Sequence, residues 1–355
     1  MQKQRSITTG IRLPKLRVRA TLLLLLATAF SAQAVETSIS IMTFNVENLF
    51  DAIHDTGKND ETYLPEARKK NSTHIEKCKK ISVRRWRDQC LYWDWNEAVI
   101  DKKLRAVSDA IKQVNSGQGP DIIALQEVEN ITILERLRSD YLTSLGYQPG
   151  VLLEGKDKRG IDVAFLSKFP ITDATLHPIT FPSSLKRRAG NTRPILEATF
   201  ELPNGETLTG FSVHFPAPYY PTEMREVVYT RLNTIISSLP QSQAVFAAGD
   251  FNTTRKEDAD KKMLSRWVRP TWQIAHDLCR ACPGTSYYPP KDDWSFLDMV
   301  LWRETPGWQM TDSFLANKTV EQALPNGTPK RFQLPEASGV SDHWPLVMVV
   351  ERSPN

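Results

Sequence analysis

The sequence predicts an α/β (α+β) fold with two layers of strands, and three features point there. Apolar, strand-like runs alternate with helical periodicities in the first half of the chain. The same β–α–β order returns after a hairpin in the second half, and several runs stop abruptly at a polar side chain. Strands and helices that each bury one face pack as layers around a shared core.

The elements follow in order. Ser38–Phe44 alternates and ends at Asn45, which reads as a strand. Residues 51–95 read as an irregular, polar and basic insertion. Asn96–Asn115 carries Ile100, Leu104, Val107, Ile111 and Val114 on one helical face. Asp121–Leu125 is a short buried strand leading to Glu127, and Ile131–Leu145 is a helix with Leu134, Leu137 and Tyr141 aligned. Ile161–Leu166 is apolar enough for a buried strand. Ile195–Leu202 and Thr207–Phe215 flank Asn204-Gly205, a hairpin whose turn needs positive φ. Pro221–Leu239 is a third helix, buried through Met224, Val227, Val228, Arg231, Leu232, Ile235, Ile236 and Leu239. Strands at Ala244–Ala248, Leu297–Trp302 and Leu346–Glu351 complete the pattern.

Residues 1–34 read as a secretory signal. Lys3, Arg5, Arg12, Lys15, Arg17 and Arg19 precede the apolar run Ala20–Phe30, and Ala32-Gln33-Ala34 fits a cleavage site. That run is well short of the ~20 residues needed to span a bilayer. The expectation is an exported protein, periplasmic or secreted, with no membrane span and acting as a monomer. Residues 35–355 hold no Gly/Ser or Pro-rich linker and no fixed-period repeat, so a single domain is expected, with the basic insertion at about 51–95 inside it. Without the six leader cations, 39 Lys+Arg face 41 Asp+Glu, a formal −2. Overall charge is therefore no argument for nucleic acid; only local clusters are.

The four cysteines, Cys78, Cys90, Cys279 and Cys282, permit three disulfide connectivities in an oxidising compartment. Cys279-Arg280-Ala281-Cys282 is also half of a zinc pattern, but Cys78 and Cys90 lie too far apart to supply the other half. Local pairs, Cys78–Cys90 and Cys279–Cys282, are favoured.

Six polar strings sit against apolar runs: Thr43-Phe44-Asn45-Val46-Glu47, Leu125-Gln126-Glu127-Val128-Glu129, Ser212-Val213-His214-Phe215, Gly249-Asp250-Phe251-Asn252, Phe296-Leu297-Asp298-Met299-Val300 and Ser341-Asp342-His343. Any one alone is readily a turn with an Asx cap. Side chains at strand ends also sit on a rigid frame and reach solvent, where phosphate-ester and metal chemistry needs them.

The ordered set Asn…Glu…His…Asp-x-Asn…Asp…Asp-His resembles the endonuclease/exonuclease/phosphatase superfamily (deoxyribonuclease-I-like) over roughly residues 38–351. The resemblance implies a four-layer α/β/β/α sandwich with its site where both sheets open at one edge. It also implies a metal-dependent hydrolase of phosphodiester bonds. Glu127, Asn45, Asp342 and Glu47 would be the metal neighbourhood, with His214, Asp250, Asn252, Asp298 and His343 as the catalytic set. Hard oxygen donors suit Mg²⁺, with Mn²⁺ or Ca²⁺ as alternatives, rather than zinc. His343 reads as the phosphate-side base with Asp298 holding its tautomer. Resemblance assigns Asp250 to water or leaving-group handling and Asn252 to a phosphate oxygen. His214 stands where secreted deoxyribonucleases and sphingomyelinases carry a His proton donor and repair enzymes a Tyr; Asp162 is its candidate partner. Arg193-Pro194 resembles a phosphate-contacting element of secreted nucleases, and Arg159 is a second candidate substrate contact, with a surface salt bridge equally open.

The insertion interleaves Arg68, Lys69, Lys70, Lys77, Lys79, Lys80, Arg84, Arg85 and Arg87 with Trp86, Tyr92, Trp93 and Trp95 just beyond. Such a mix suits a nucleic-acid backbone with stacked bases, an anionic membrane surface, or simply a solvated loop. Residues 43–51 and 159–164 look most like bacterial exported nucleases. The function expected is an exported, metal-dependent nuclease on DNA, RNA being open. The alternative is a secreted phospholipid phosphodiesterase of sphingomyelinase type or a phosphatase.

Overall fold

Two six-stranded mixed sheets face each other in the computed structural model, which describes residues 37–353; the segment read as a secretory signal lies outside the described residues. One sheet contains β1 (Thr37–Leu49), β2 (Ile122–Val128), β3 (Val151–Leu152), β4 (Asp162–Ser167), β13 (Trp308–Leu315) and β14 (Leu346–Arg352), in the order β13-β14-β1-β2-β4-β3. The other contains β5 (Ile171–His177), β6 (Ile195–Glu201), β7 (Thr207–His214), β8 (Ala244–Asp250), β9 (Gln273–Ile274) and β12 (Asp298–Trp302), in the order β5-β6-β7-β8-β12-β9. A ribbon of β10 (Ser286–Tyr288) and β11 (Asp293–Ser295) stands apart. The α-helices of the described residues are α1 (Glu66–Lys69), α2 (Ser72–Lys79), α3 (Arg84–Tyr92), α4 (Glu97–Lys112), α5 (Ile131–Arg136), α6 (Thr222–Ser237) and α7 (Arg255–Lys261).

Among the described residues only β1/β2 and β7/β8 are parallel pairs. A parallel step needs a long crossover, and α4 and α6 supply one each. Alternation along the strands then builds the layers. Ile39 and Ile41 of β1, Ile122 of β2 and Met348 of β14 point toward Leu196, Phe200, Phe246 and Trp302 of the second sheet. Met42, Phe44, Ile123 and Leu125 point the other way, onto Ile100, Leu104, Val107 and Ile111 of α4. Val213, Val245 and Leu301 meet Met224, Val228, Leu232 and Ile236 of α6. The result is the four-layer α/β/β/α sandwich expected from the sequence.

Several elements differ from the sequence reading. The insertion is largely helical: Asn71 caps α2 by accepting from the His74 amide (2.8 Å), and Cys78 is joined to Cys90 of α3. So few residues of α2 and α3 are buried (His74 and Cys78 in α2, Cys90 in α3) that these helices carry no apolar periodicity. Trp95 belongs to the core and donates to the Phe50 carbonyl oxygen (3.1 Å), with Trp93 stacked on it, so Trp86 and Tyr92 are the exposed aromatics. The helix expected over Ile131–Leu145 stops at Arg136 and continues as a π turn and a 3₁₀ turn. Edge strands β5 and β13 left no signal because they are half exposed and lack clean alternation. Cys279 is joined to Cys282.

Reducing Cys78–Cys90, whose partners are 12 residues apart, should remove about 3 kcal/mol of local constraint by the chain-entropy relation. Hydrogen exchange over residues 72–92 should then accelerate while β7 and β8 stay protected. Exchange at 72–92 that ignores reductant would refute this.

Candidate active site at one edge of both sheets

Topology alone gathers the polar strand ends. β1 and β2 run together, so Asn45, Glu47 and Glu127 near their C-terminal ends share one edge. β14 runs opposite to β1, which brings Ser341–His343, just before it, to that same edge. In the second sheet β7 and β8 end at His214 and Asp250, and antiparallel β12 begins at Asp298, paired with Asp250. The Ser341 hydroxyl donates to the Asn45 carbonyl oxygen (2.7 Å) and fastens the two approaches.

Two bulges aim the carboxylates. Register shifts lie between Asn45 and Leu49 and between Gln126 and Val128. Glu47, Asn48 and Glu127 accordingly adopt φ of 50°, 62° and 64°. Bulges re-aim side chains next to active sites, and left-handed non-glycine backbone persists only where its surroundings enforce it. Gly249, at φ 156°, has no such latitude: a Cβ there would run into the Val213 carbonyl oxygen, so only glycine lets β8 approach β7 and present Asp250 beside His214.

The centre is a compact constellation. His343 Nδ1 lies 2.7 Å from Asp298 Oδ2, and Asp250, Asp298 and His343 each offer an atom within 4.8 Å of the others. Asp250 accepts from Asn45 Nδ2 (3.1 Å) and from the Asn252 amide (2.9 Å). His214 Nε2 is 3.4 Å from Asp250 and 4.0 Å from Glu127. Asn252, itself at φ 52°, donates one Nδ2 hydrogen to the Phe215 carbonyl oxygen (3.1 Å), leaving the other for a ligand.

Charge states follow from burial and neighbours. Burial, with Asp298 adding, pushes the Asp250 carboxyl up to about 7 against the pull of His343. Burial alone would favour a neutral His343, but Asp298, with Asp342 and Asp250, outweighs it and holds the ring protonated well above its ordinary range. His214 is driven well below its ordinary range by burial and by Arg193 and Arg159, so it is neutral. A protonated imidazole can donate to an anion and a carboxylate that titrates near neutral pH can take a proton, which is how the charges of this pair would be used.

The remaining sequence-predicted residues divide. Glu127 is tucked in, with Arg159 at 3.4 Å as its closest donor. Arg159 also donates to Asn48 and stays partly exposed at the rim. Glu47 is fully engaged: it accepts from Arg331 Nε (2.6 Å), the Asp342 amide (3.1 Å) and the Phe332 amide (3.3 Å). Arg331 also donates to Asp342, and although burial opposes it, this guanidinium holds Asp342 below the usual carboxylate range. Arg193 is turned inward, onto Asp157 (2.9 Å) and the Asn191 carbonyl oxygen (2.8 Å), so it braces the loop rather than offering a free fork to phosphate. The expected Asp162–His214 contact is not made: Asp162 accepts from the Gly155 amide (2.9 Å), while its other oxygen and His214 Nδ1 have no partner among the described residues.

Residues 94–343 match the Endonuclease/Exonuclease/phosphatase family. The chain belongs to this family. Similar solved structures include an endonuclease/exonuclease/phosphatase from Bacteroides vulgatus at 17% identity and TM-score 0.54, covering 89% of this chain and 100% of that one. Another is the family protein from Bacteroides thetaiotaomicron, at 14% and 0.55, covering 90% and 100%. A third is D. rerio TDP2 complexed with single strand DNA product, at 14% and 0.52, covering 88% and 99%. At such identities the likeness is one of fold. No curated protein matches the sequence.

Members of the endonuclease/exonuclease/phosphatase family are phosphodiester or phosphate-ester hydrolases that use divalent metals, and the donor set here fits one. Glu127 is a nearly buried carboxylate held by Arg159 at 3.4 Å on Oε2, which leaves Oε1 available to coordinate. Asp342 would add a hard-oxygen donor through the oxygen that Arg331 leaves open, while Asn45 Oδ1 already accepts from the Glu47 amide (3.0 Å) and Glu47 is spent on Arg331 and two amides.

Two residues of this endonuclease/exonuclease/phosphatase site escape sequence reading but leave a trace in it. Lys103 falls on the apolar stripe of α4, is fully buried, and donates to the Val340 carbonyl oxygen (2.6 Å) just before Asp342. Burial brings it down to about 8, against Glu47 and Asp342. Arg225 likewise lies on the buried face of α6 and gathers the carbonyl oxygens of Pro216 (3.0 Å) and Ala217 (2.8 Å), fixing the loop after His214. A cation inside a hydrophobic stripe is the readable signal. Arg331 leaves none.

Proposed function

We propose that this chain is an exported, Mg²⁺-dependent nuclease that hydrolyses phosphodiester bonds of DNA. The observation that carries the reading is the His343–Asp298 pair set against Asp250, with Asn45, Asn252 and His214 around it and Glu127 beyond His214. Basic residues with exposed aromatics in the insertion favour a polyanionic substrate. The leader-like residues 1–34 support export.

The residues divide the reaction among them. A bound divalent cation supplies charge neutralisation on the phosphate. His343, kept cationic by Asp298, donates to a phosphate oxygen, and Asn252 offers its second amide hydrogen. Asp250 takes the proton from the attacking water, oriented by Asn45 and the Asn252 amide. Neutral His214, between Asp250 and Glu127, donates a hydrogen bond from Nε2 to the leaving oxygen, and solvent supplies the proton that completes the leaving alcohol. Arg159 at the rim is the guanidinium available to a flanking phosphate.

Incubating the purified protein with supercoiled plasmid, RNA and sphingomyelin, each with Mg²⁺ and with chelator, tests the proposal. Plasmid nicking is expected with Mg²⁺ and none with chelator. Nicking that survives exhaustive chelation would remove the metal from the mechanism. Sphingomyelin turnover without nicking would transfer the function to the phospholipid class.

A further inference from the structure

An open groove of about 1030 Å³ lies between α3 and the segment that follows Arg331. Arg84, Arg85 and Tyr92 form one wall, Trp93 part of the floor, and Gln333 and Pro335 the opposite wall. We propose that this groove is a subsite for a single strand of nucleic acid, holding the nucleotides next to the scissile phosphate; the proposal rests on the nuclease reading above.

Three observations carry it. The first is composition. Tyr92 is 74% exposed, and Trp93 lies next to it in the lining of the groove. Unpaired bases stack on such rings, whereas bases in a duplex are already stacked and paired.

The second is charge. Among the described residues Arg85 has no carboxylate partner, and Arg84 has only an exposed helical neighbour, Asp88, at 3.6 Å. Exposed pairs of this kind are weak and yield readily to a phosphate. The acid at the end of the groove, Asp94, is already committed, one oxygen to the Glu66 amide and the other to Asn96 (both 2.7 Å).

The third is position. Gln333 is two residues from Arg331, which grips Glu47 and Asp342, and Phe332 packs on Trp95, which in turn stacks with Trp93. Two extended residues span about 7 Å. The groove thus begins about two residues along the chain from the arginine that holds Glu47 and Asp342 in place. On its other side α3 is pinned by the Cys78–Cys90 disulfide, which gives this wall a fixed place.

The test compares wild type with the triple variant Arg84→Ser, Arg85→Ser, Tyr92→Ala, all on an exposed helical wall and outside the catalytic machinery. Substrates are a small chromogenic phosphodiester and a single-stranded oligonucleotide of about 20 nucleotides, longer than one typical site. Expected are an unchanged kcat/KM on the small diester and a KM for the oligonucleotide raised about 10-fold or more, the scale of one lost stack. The slope of log KM against log salt should fall by about 1.4, for two lost single-strand phosphate contacts.

A second measurement needs no variant: ultraviolet cross-linking of an iododeoxyuridine-substituted oligonucleotide to chelated wild type, with adducts expected on Tyr92 or Trp93. Unchanged oligonucleotide KM in the triple variant, or adducts confined to other residues, overturns the groove while leaving the nuclease reading intact. A wild type that turns over the small diester but no nucleic acid overturns both. Loss of binding to phosphatidylglycerol vesicles, with oligonucleotide kinetics intact, assigns the groove to lipid and also overturns the proposal.

Discussion

Asp250→Asn is expected to lower kcat by about 10²–10⁴, the usual scale for losing an acid–base group, with KM and melting changed little. The substitution keeps the shape of the side chain and one acceptor oxygen, so of the Asn252 amide on Oδ1 and Asn45 Nδ2 on Oδ2 it retains one partner and gives up the other at about 1 kcal/mol. It removes the proton acceptor. Because burial, together with Asp298, lifts this carboxyl to about 7, wild-type kcat should climb as pH rises through that value, and the limb should vanish in the variant. Stability gives an independent check. A carboxyl raised on folding contributes stability that is full below its unfolded value, near 4, and lost as pH rises through about 7. The wild-type Tm should therefore fall across that window more steeply than the variant's. His343→Ala should cost a comparable factor by removing the cation that faces the phosphate. An Asp250→Asn enzyme with the acidic limb intact would mean that another group is the base.

Phe246→Ala should destabilise the fold by about 3–5 kcal/mol, the range for truncating a buried aromatic. Phe246 stands in β8 on the inner face of its sheet, with ring centres 5.9 Å from Phe200 and 6.1 Å from Phe165. Its ring fills the space above Gly210, where any Cβ would collide with it. Two hydrogen-bonded sheets cannot close over the void, so the cavity penalty is felt nearly in full. Urea titration should show a lower midpoint at unchanged m, and Tm should drop on the order of 10 °C. Low-temperature activity should survive, since the strand that ends at Asp250 keeps its backbone pairing with β7 and β12. A loss under about 1 kcal/mol would show that the sheets repack around the missing ring.

Much of the site is legible in the sequence, because its chemistry sits in short strings that local physics exposes. Asn45, Glu127, His214 and Asp250 interrupt or end a run that only a strand explains, and Asp298 and His343 stand at or just before the start of one. The helices α4 and α6 are legible for the same reason: their apolar stripes repeat at helical spacing over four turns. Where a segment buries little, as in α2, α3 and edge strands β5 and β13, there is no pattern to find.

By itself, then, the sequence determined the order of the elements, the layered class and the chemical identity of the strand-end residues, since each depends on neighbours along the chain. The tertiary structure alone decided who meets whom. Asn45 reaches Asp250 across 205 residues and Arg331 reaches Glu47 across 284, contacts created by strand order and by two bulges rather than by any local preference. The same long-range packing turned Arg193 inward onto Asp157, drew Trp95 into the core, and made His343 a cation beside Asp298. Charge state and side-chain direction are properties of the assembled surroundings. A residue's local sequence does not contain them.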